Sequence, residues 1–253
     1  PIKRSKPMKL TENAKKIYEI WFKSSCELEA NNASFLEDYL NFLGDISEKI
    51  NIDEQTRLSV IIASLAVSGG AQSSFKAFVK AALNVGMSAK AVKEILYQAV
   101  PYAGLGRVEN YIFLADEIFN EAGISIEETP KKAREGRGER GLEIQRKLFP
   151  AVDKFIASTP SDQRHIMEFL SQNCFGDFYA RDGLNLELRE LLTFVFISTL
   201  GFAKPQLLGH IAANFGIGND RAKLISVVTT LIPFIGYPSA LNVLAAINEI
   251  SVK

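Results

Sequence analysis

The feature that most constrains this chain is a match between its two halves at a fixed offset of 132 residues. Sliding the sequence by that amount pairs Arg57 with Arg189, Gly69 with Gly201, Ala71 with Ala203 and Ala81 with Ala213. Without a gap it then pairs Gly86 with Gly218, Pro101 with Pro233, Gly104 with Gly236 and Asn110 with Asn242. Glu117 with Glu249 and Ile118 with Ile250 close the match. Glycine and proline punctuate turns, so their matched placement implies one helical unit used twice.

Between these punctuation points the apolar residues recur three or four apart, the period of a helix with one buried face. Ala14, Ile17, Tyr18, Trp21, Phe22, Ser25 and Leu28 trace one such face, and Phe35, Leu36, Tyr39, Leu40 and Phe42 another. Thr159-Pro160-Ser161-Asp162 is a helix start, predicted to open a helix running to about Cys174. In the second unit, helices are predicted over roughly Asn185 to Leu200, Pro205 to Phe215, Asp220 to Ile232 and Pro238 to Ile250. No Asn-Gly or Asp-Gly turn joins alternating runs, so the fold class is all-α, a tandem repeat of a helical bundle with a pseudo-two-fold within the chain. The expected organisation is N-terminal helices over 1–50, a first unit over 51–126, a charged connector over 127–141, and a second unit with its leading helices over 142–253.

Lys plus Arg and Asp plus Glu each number 29, so no net field draws the chain to nucleic acid or to an anionic membrane. No uninterrupted apolar run approaches the roughly 18 residues of a bilayer span. The basic start, Pro1 to Lys6, leads into a polar stretch unlike an intact secretory signal. Cys26 and Cys174 have neither metal nor redox spacing. A reduced, cytoplasmic compartment is the expectation.

Two histidines are present, so imidazole chemistry rests on His165 or His210. His165 follows Arg164 on an amphipathic stretch and reads as a surface residue. His210 lies in Leu207-Leu208-Gly209-His210-Ile211-Ala212-Ala213, where an unpaired polar group would cost about 1–3 kcal/mol. It is therefore either a satisfied core histidine or a working one. The offset sets Phe78 opposite His210 and Leu58 opposite Glu190. A unit that packs with Phe78 and Leu58 does not need the ionisable pair for packing, which favours function in the second unit. Counted from the turn at Phe202 to Pro205, Glu190 and His210 are offset by about 10 Å along their helices. That is long for direct contact unless the helices cross. A carboxylate beside an imidazole would keep a proton available for general acid work. Arg181 and Arg189 offer bidentate contact to an anionic substrate, or else an inter-helix salt bridge.

Several stretches resemble the carboxymuconolactone decarboxylase family. They are Glu139-Arg140-Gly141-Leu142, Phe175-Gly176-Asp177-Phe178-Tyr179-Ala180-Arg181-Asp182-Gly183-Leu184 and Leu188-Arg189-Glu190-Leu191-Leu192-Thr193. Gly209-His210 and Ile235-Gly236-Tyr237-Pro238-Ser239-Ala240-Leu241-Asn242 complete the pattern. The resemblance spans about 139–250, and 50–118 more weakly. It implies the all-helical bundle shared with alkyl hydroperoxidase D proteins, and a homo-oligomer in which three two-unit chains make a pseudo-hexamer. It also implies a lyase that decarboxylates a small organic acid with no metal or organic cofactor. His210 and Glu190 would be catalytic, and Arg181, Arg189, Gln206 and Tyr237 would contact substrate. The Cys-x-x-Cys of the peroxidase branch is replaced by Ala203 and Gln206, and by Ala71 and Ser74 in the first unit, which disfavours thiol peroxidase chemistry. Gln206 stands where the decarboxylase branch has glutamate, and Phe234 where it has tyrosine. A non-catalytic oligomer that binds a small ligand or partner is the alternative.

Overall fold

In the computed structural model the described residues are 8–23, 32–126 and 129–251, and these contain helices and connections but no strand. Six helices make up the first half. They are α1 (Glu12–Phe22), α2 (Ala33–Ser47), α3 (Glu54–Ser68), α4 (Gln72–Asn84), α5 (Ala89–Ala103) and α6 (Leu105–Glu121). Then come α7 (Arg137–Leu148), α8 (Val152–Ser158) and α9 (Arg164–Phe169), which continues as a π-helical segment (Leu170–Tyr179). Last are α10 (Leu186–Leu200), α11 (Lys204–Gly216) and α12 (Arg221–Ser251).

Helices that begin at Glu54, Gln72 and Ala89 are thus followed, 132 residues later, by helices that begin at Leu186, Lys204 and Arg221. The first of each set starts on a side-chain cap: Asp53 accepts from the Thr56 N–H and Asn185 from the Leu188 N–H. α3 and α10 are buried nearly all round, as suits central helices. They pack on each other, while α5 packs on α10 and α12 on α3, so each half covers the other's central helix.

α12 is long and apolar enough to cross a membrane by length and composition, with a mean hydropathy of 1.7. Gly236, at φ 78° and ψ 161°, breaks it. The two pieces, of about 15 residues each, fall short of the roughly 20 that a span requires, and their apolar residues Val227, Leu231, Val243 and Ile247 are buried in the core.

The predicted connector over 127–141 ends differently from expectation. α7 begins at Arg137, and Gly141 is buried inside it. A Cβ on Gly141 would lie 1.8 Å from the Ser171 carbonyl oxygen, and one on Gly176 would lie 2.0 Å from that of Arg137. α7 and the π-helical segment therefore meet backbone to backbone, a packing that hydropathy periodicity does not encode. Two of the connector's basic residues serve the same contact. Arg137 pairs with Asp177 at 2.7 Å, and Arg140 donates to the carbonyls of Gly176 and Ala133. The helix expected from Thr159 begins only at Arg164, after a turn, and runs beyond Cys174 to Tyr179 by widening into π geometry. Cys26 lies outside the described residues, while Cys174 is buried and free.

Candidate active site

α10 and α11 bring the predicted pair together. His210 Nδ1 lies 2.5 Å from Glu190 Oε1, so the helices cross closely enough to cancel the axial offset counted from sequence. Glu190 is fully buried, and His210 is 8% exposed. Tyr179, at the end of the π-helical segment, donates to Glu190 Oε2, and its hydroxyl also meets Thr193 Oγ1 at 2.8 Å. Asn214, one turn after His210, donates to the carbonyls of both Glu190 and His210. His210 and Tyr179 thus fix the carboxylate from two sides, Asn214 ties the main chains of the two helices together, and His210 Nε2 has no protein partner. With Nδ1–H donating to the carboxylate, Nε2 is the nitrogen free to exchange a proton.

The walls around the pair are aromatic. Tyr102 and Phe149 stand edge-on to the His210 ring at centroid distances of 6.0 and 5.2 Å. The Tyr102 hydroxyl is buried near Cys174 and Thr193 without forming a well-shaped hydrogen bond. Burial, reinforced by the Glu190 charge, pushes the Tyr179 phenol well above its ordinary range. Burial likewise pushes the Cys174 thiol up to about 12, which keeps it an unreactive thiol.

The predicted arginines both close on one buried carboxylate, Glu94. Arg189, 1% exposed, places Nη2 on Glu94 at 3.1 Å and on the Arg181 carbonyl at 2.7 Å, and Nη1 on Gln98 at 2.9 Å. Arg181 grips the same Glu94 through Nε and through Nη2, the latter at 2.9 Å, and stacks over Tyr97 at 4.9 Å. Arg181 keeps part of its side chain on a cavity it shares with Lys90, Lys93 and Lys131. Gln98 then donates to Thr193, so one buried chain of bonds runs from Glu94 through Arg189, Gln98, Thr193 and Tyr179 to Glu190 and His210. Gln206 is exposed, one turn before His210. Tyr237 is 60% exposed, and no hydrogen bond or ring contact links it to His210. Among the described residues no three His, Cys, Asp or Glu side chains gather as a metal site.

Sequence reasoning missed Tyr179, Thr193, Glu94 and Gln98 as parts of this network. Tyr179 stood in a quoted motif. Glu94 and Gln98, four apart on a helix whose neighbours Ile95 and Ala99 are core residues, carried a readable signal: a polar pair on a buried stripe.

The fold and site define an all-helical protein with a buried carboxylate–imidazole pair and no strand among its described residues. Comparison with known proteins refines this class. Residues 33–117, from α2 into α6, match the model of the carboxymuconolactone decarboxylase family. A curated relative named 4-carboxymuconolactone decarboxylase, from Acinetobacter baylyi, is 27% identical over 106 residues, covering 40% of this chain and 78% of the relative. Residues 33–117, about a third of the chain, are thus similar to that family's domain. The family model's match falls on the half that holds Leu58 and Phe78 and ends before Glu190 and His210.

Proposed function

We propose that this protein is a cofactor-free enzyme of the carboxymuconolactone decarboxylase type, acting on a small organic acid, with its chemistry in the second half. The observation that carries the reading is the Glu190–His210 pair, fixed by Tyr179 and Asn214, with Nε2 left free. Reading the two helical sets as copies of one unit is part of the proposal. Matched helix starts, and matched positive-φ glycines at Gly86 with Gly218 and Gly104 with Gly236, support it.

In the proposed reaction the substrate's carbon–carboxylate bond breaks and carbon dioxide leaves. The electron pair stays on the former α carbon, which takes a proton from His210 Nε2. Glu190 stabilises the imidazolium before transfer and orients the ring throughout. Arg181, the more exposed of the two arginines, is the candidate for the substrate carboxylate, and Gln206, exposed one turn before His210, is the candidate for a further contact. Arg189 acts through Gln98 and Thr193 as a positioning residue. A cytoplasmic location and a trimeric assembly belong to the same proposal, the latter open to light scattering.

The test is carbon dioxide release from a panel of small lactone acids by wild type, His210→Gln and Glu190→Gln. Loss of about 10²–10⁴-fold in kcat is expected of each variant, the usual share of a positioned acid–base group. Equal turnover by His210→Gln would remove the mechanism. The second reading, a non-catalytic ligand-binding protein, is favoured by the near-complete burial of His210, which lines none of the four cavities described. It predicts no turnover on any panel member and His210 NMR signals that ignore all of them.

A further inference from the structure

A cavity of about 340 Å³ lies between the end of α10, the start of α11 and the last part of α12. Ile197, Leu207 and Val243 form apolar parts of its lining, with Ser239, Asn242 and Lys204, whose charge is paired with Glu249 at 3.0 Å, also on it. Ser198 lines it too, 1% exposed, and its Oγ has no hydrogen-bond partner. A buried hydroxyl without a partner is unfavourable, so its presence on this mixed apolar and polar cavity calls for a compensating group.

The other half of the chain shows what such a place holds. At the offset of 132, Leu207 corresponds to Phe75, Val243 to Tyr111 and Ser198 to Ala66. Phe75 and Tyr111 are both buried and meet edge to face with centroids 4.8 Å apart. Tyr111 also accepts a hydrogen bond from the Gly70 N–H at 2.6 Å. The first half thus fills this site with a phenol whose hydroxyl is satisfied by backbone. In the second half both rings are lost, and a hydroxyl appears where the first half has alanine. The turn differs as well: Gly69 has ψ 126° but Gly201 has ψ −18°, so the backbone donor used by Tyr111 is not presented in the same way. Ser198 supplies a polar partner instead.

We infer that this cavity is a binding site for a small, uncharged aromatic molecule bearing a hydroxyl, a free phenol in the place of the Tyr111 side chain, with Ser198 Oγ as its hydrogen-bond partner. Its volume exceeds the roughly 150 Å³ that suffices for benzene in an engineered apolar cavity. The site is separate from the Glu190–His210 pair and does not depend on that pair being catalytic.

The experiment is calorimetry of the full chain with phenol and with toluene, on wild type, Ser198→Ala, Val243→Tyr and His210→Gln. Wild type should bind phenol more tightly than toluene. Ser198→Ala should weaken phenol by about 2- to 10-fold, the worth of one neutral hydrogen bond, and leave toluene unchanged. Val243→Tyr rebuilds the occupant of the first half and should abolish binding of both probes, with a melting temperature at or above wild type confirming a folded chain. His210→Gln should bind phenol as wild type does, which separates this inference from the proposed reaction. No binding by wild type, or undiminished binding by folded Val243→Tyr, would overturn it. So would a change in oligomeric state of Val243→Tyr without any phenol binding by wild type, since the face would then be an interface between copies.

Discussion

Phe78 and His210 stand 132 residues apart, and their surroundings are built from opposite materials. Phe78 meets Trp21, Phe22 and Phe234 at centroid distances of 5.8, 5.9 and 5.4 Å, a cluster of rings with no ionisable group among them. His210 meets Tyr102 and Phe149, and its remaining neighbours are Glu190 and, through it, Tyr179. Phe234 and Tyr102 are themselves 132 residues apart, so each half lends a ring to the other's site. Arg57 and Arg189 differ in the same way. Arg57 donates to the Leu43 carbonyl and the Ser47 hydroxyl and lies over Trp21 at 4.7 Å, and burial pulls its guanidinium down to about 10. Arg189 instead faces the buried carboxylate of Glu94. The scaffold accepts either solution. A charged site, however, needs partners from the opposite half, and Glu94 and Gln98 are both on α5. Chemistry proposed for the second half is therefore wired to the half that matches the family model.

This comparison can be broken most decisively by exchange. The double variant Glu190→Leu with His210→Phe copies the first half, and should lose about 10²–10⁴-fold of any turnover. Replacing a buried ionic pair by apolar groups is often neutral or stabilising by about 1–4 kcal/mol. The double variant should therefore melt no lower than wild type. A marked loss of stability in calorimetry would show that the pair is a packing requirement after all.

Removing Glu94 tests the wiring. Glu94→Ala leaves Arg181 and Arg189 without their shared carboxylate, and breaking a buried pair costs about 3–5 kcal/mol in urea unfolding. Arg57→Met, which removes a guanidinium held by a carbonyl and a hydroxyl and reaching only the half-exposed Glu54 at 3.8 Å, should cost clearly less. Equal losses would erase the distinction drawn between the two arginines.

The glycine contact of α7 is next in size. Gly141→Ala puts a methyl into the Ser171 carbonyl and should cost about 1–3 kcal/mol by overpacking. Gly209→Ala, with open space where its Cβ would stand, should instead gain about 0.5–1 kcal/mol from helix propensity. Opposite signs in one denaturation series would confirm that contact, and not composition, decides each glycine.

The smallest effect is in alkali. The Tyr179 phenol is raised in the folded state, so the unfolded chain loses that proton first, near the ordinary tyrosine value of about 10. Above that pH the unfolded state binds fewer protons and stability falls as pH rises. The contribution is fully present below about pH 10. Tyr179→Phe should reduce the alkaline slope by about one proton, as measured by melting temperature between pH 9 and 11. An unchanged slope would mean that Tyr179 ionises normally.

The sequence by itself determined the helical class and singled out Glu190 and His210 as functional candidates. Hydrophobic period and glycine punctuation are local properties that can be read along one chain. Only the tertiary structure decided the rest. It closed the Glu190–His210 distance, which depends on a helix crossing and not on residue counting. It turned the end of a charged connector into the start of α7, because Gly141 there serves a contact with residues some 30 to 35 positions away. It gave Arg181 and Arg189 to Glu94, and it placed Tyr179 on Glu190 through a π-helical widening. Each of these is a meeting of residues remote in sequence, and periodicity along a chain says which face is buried but not what that face will meet.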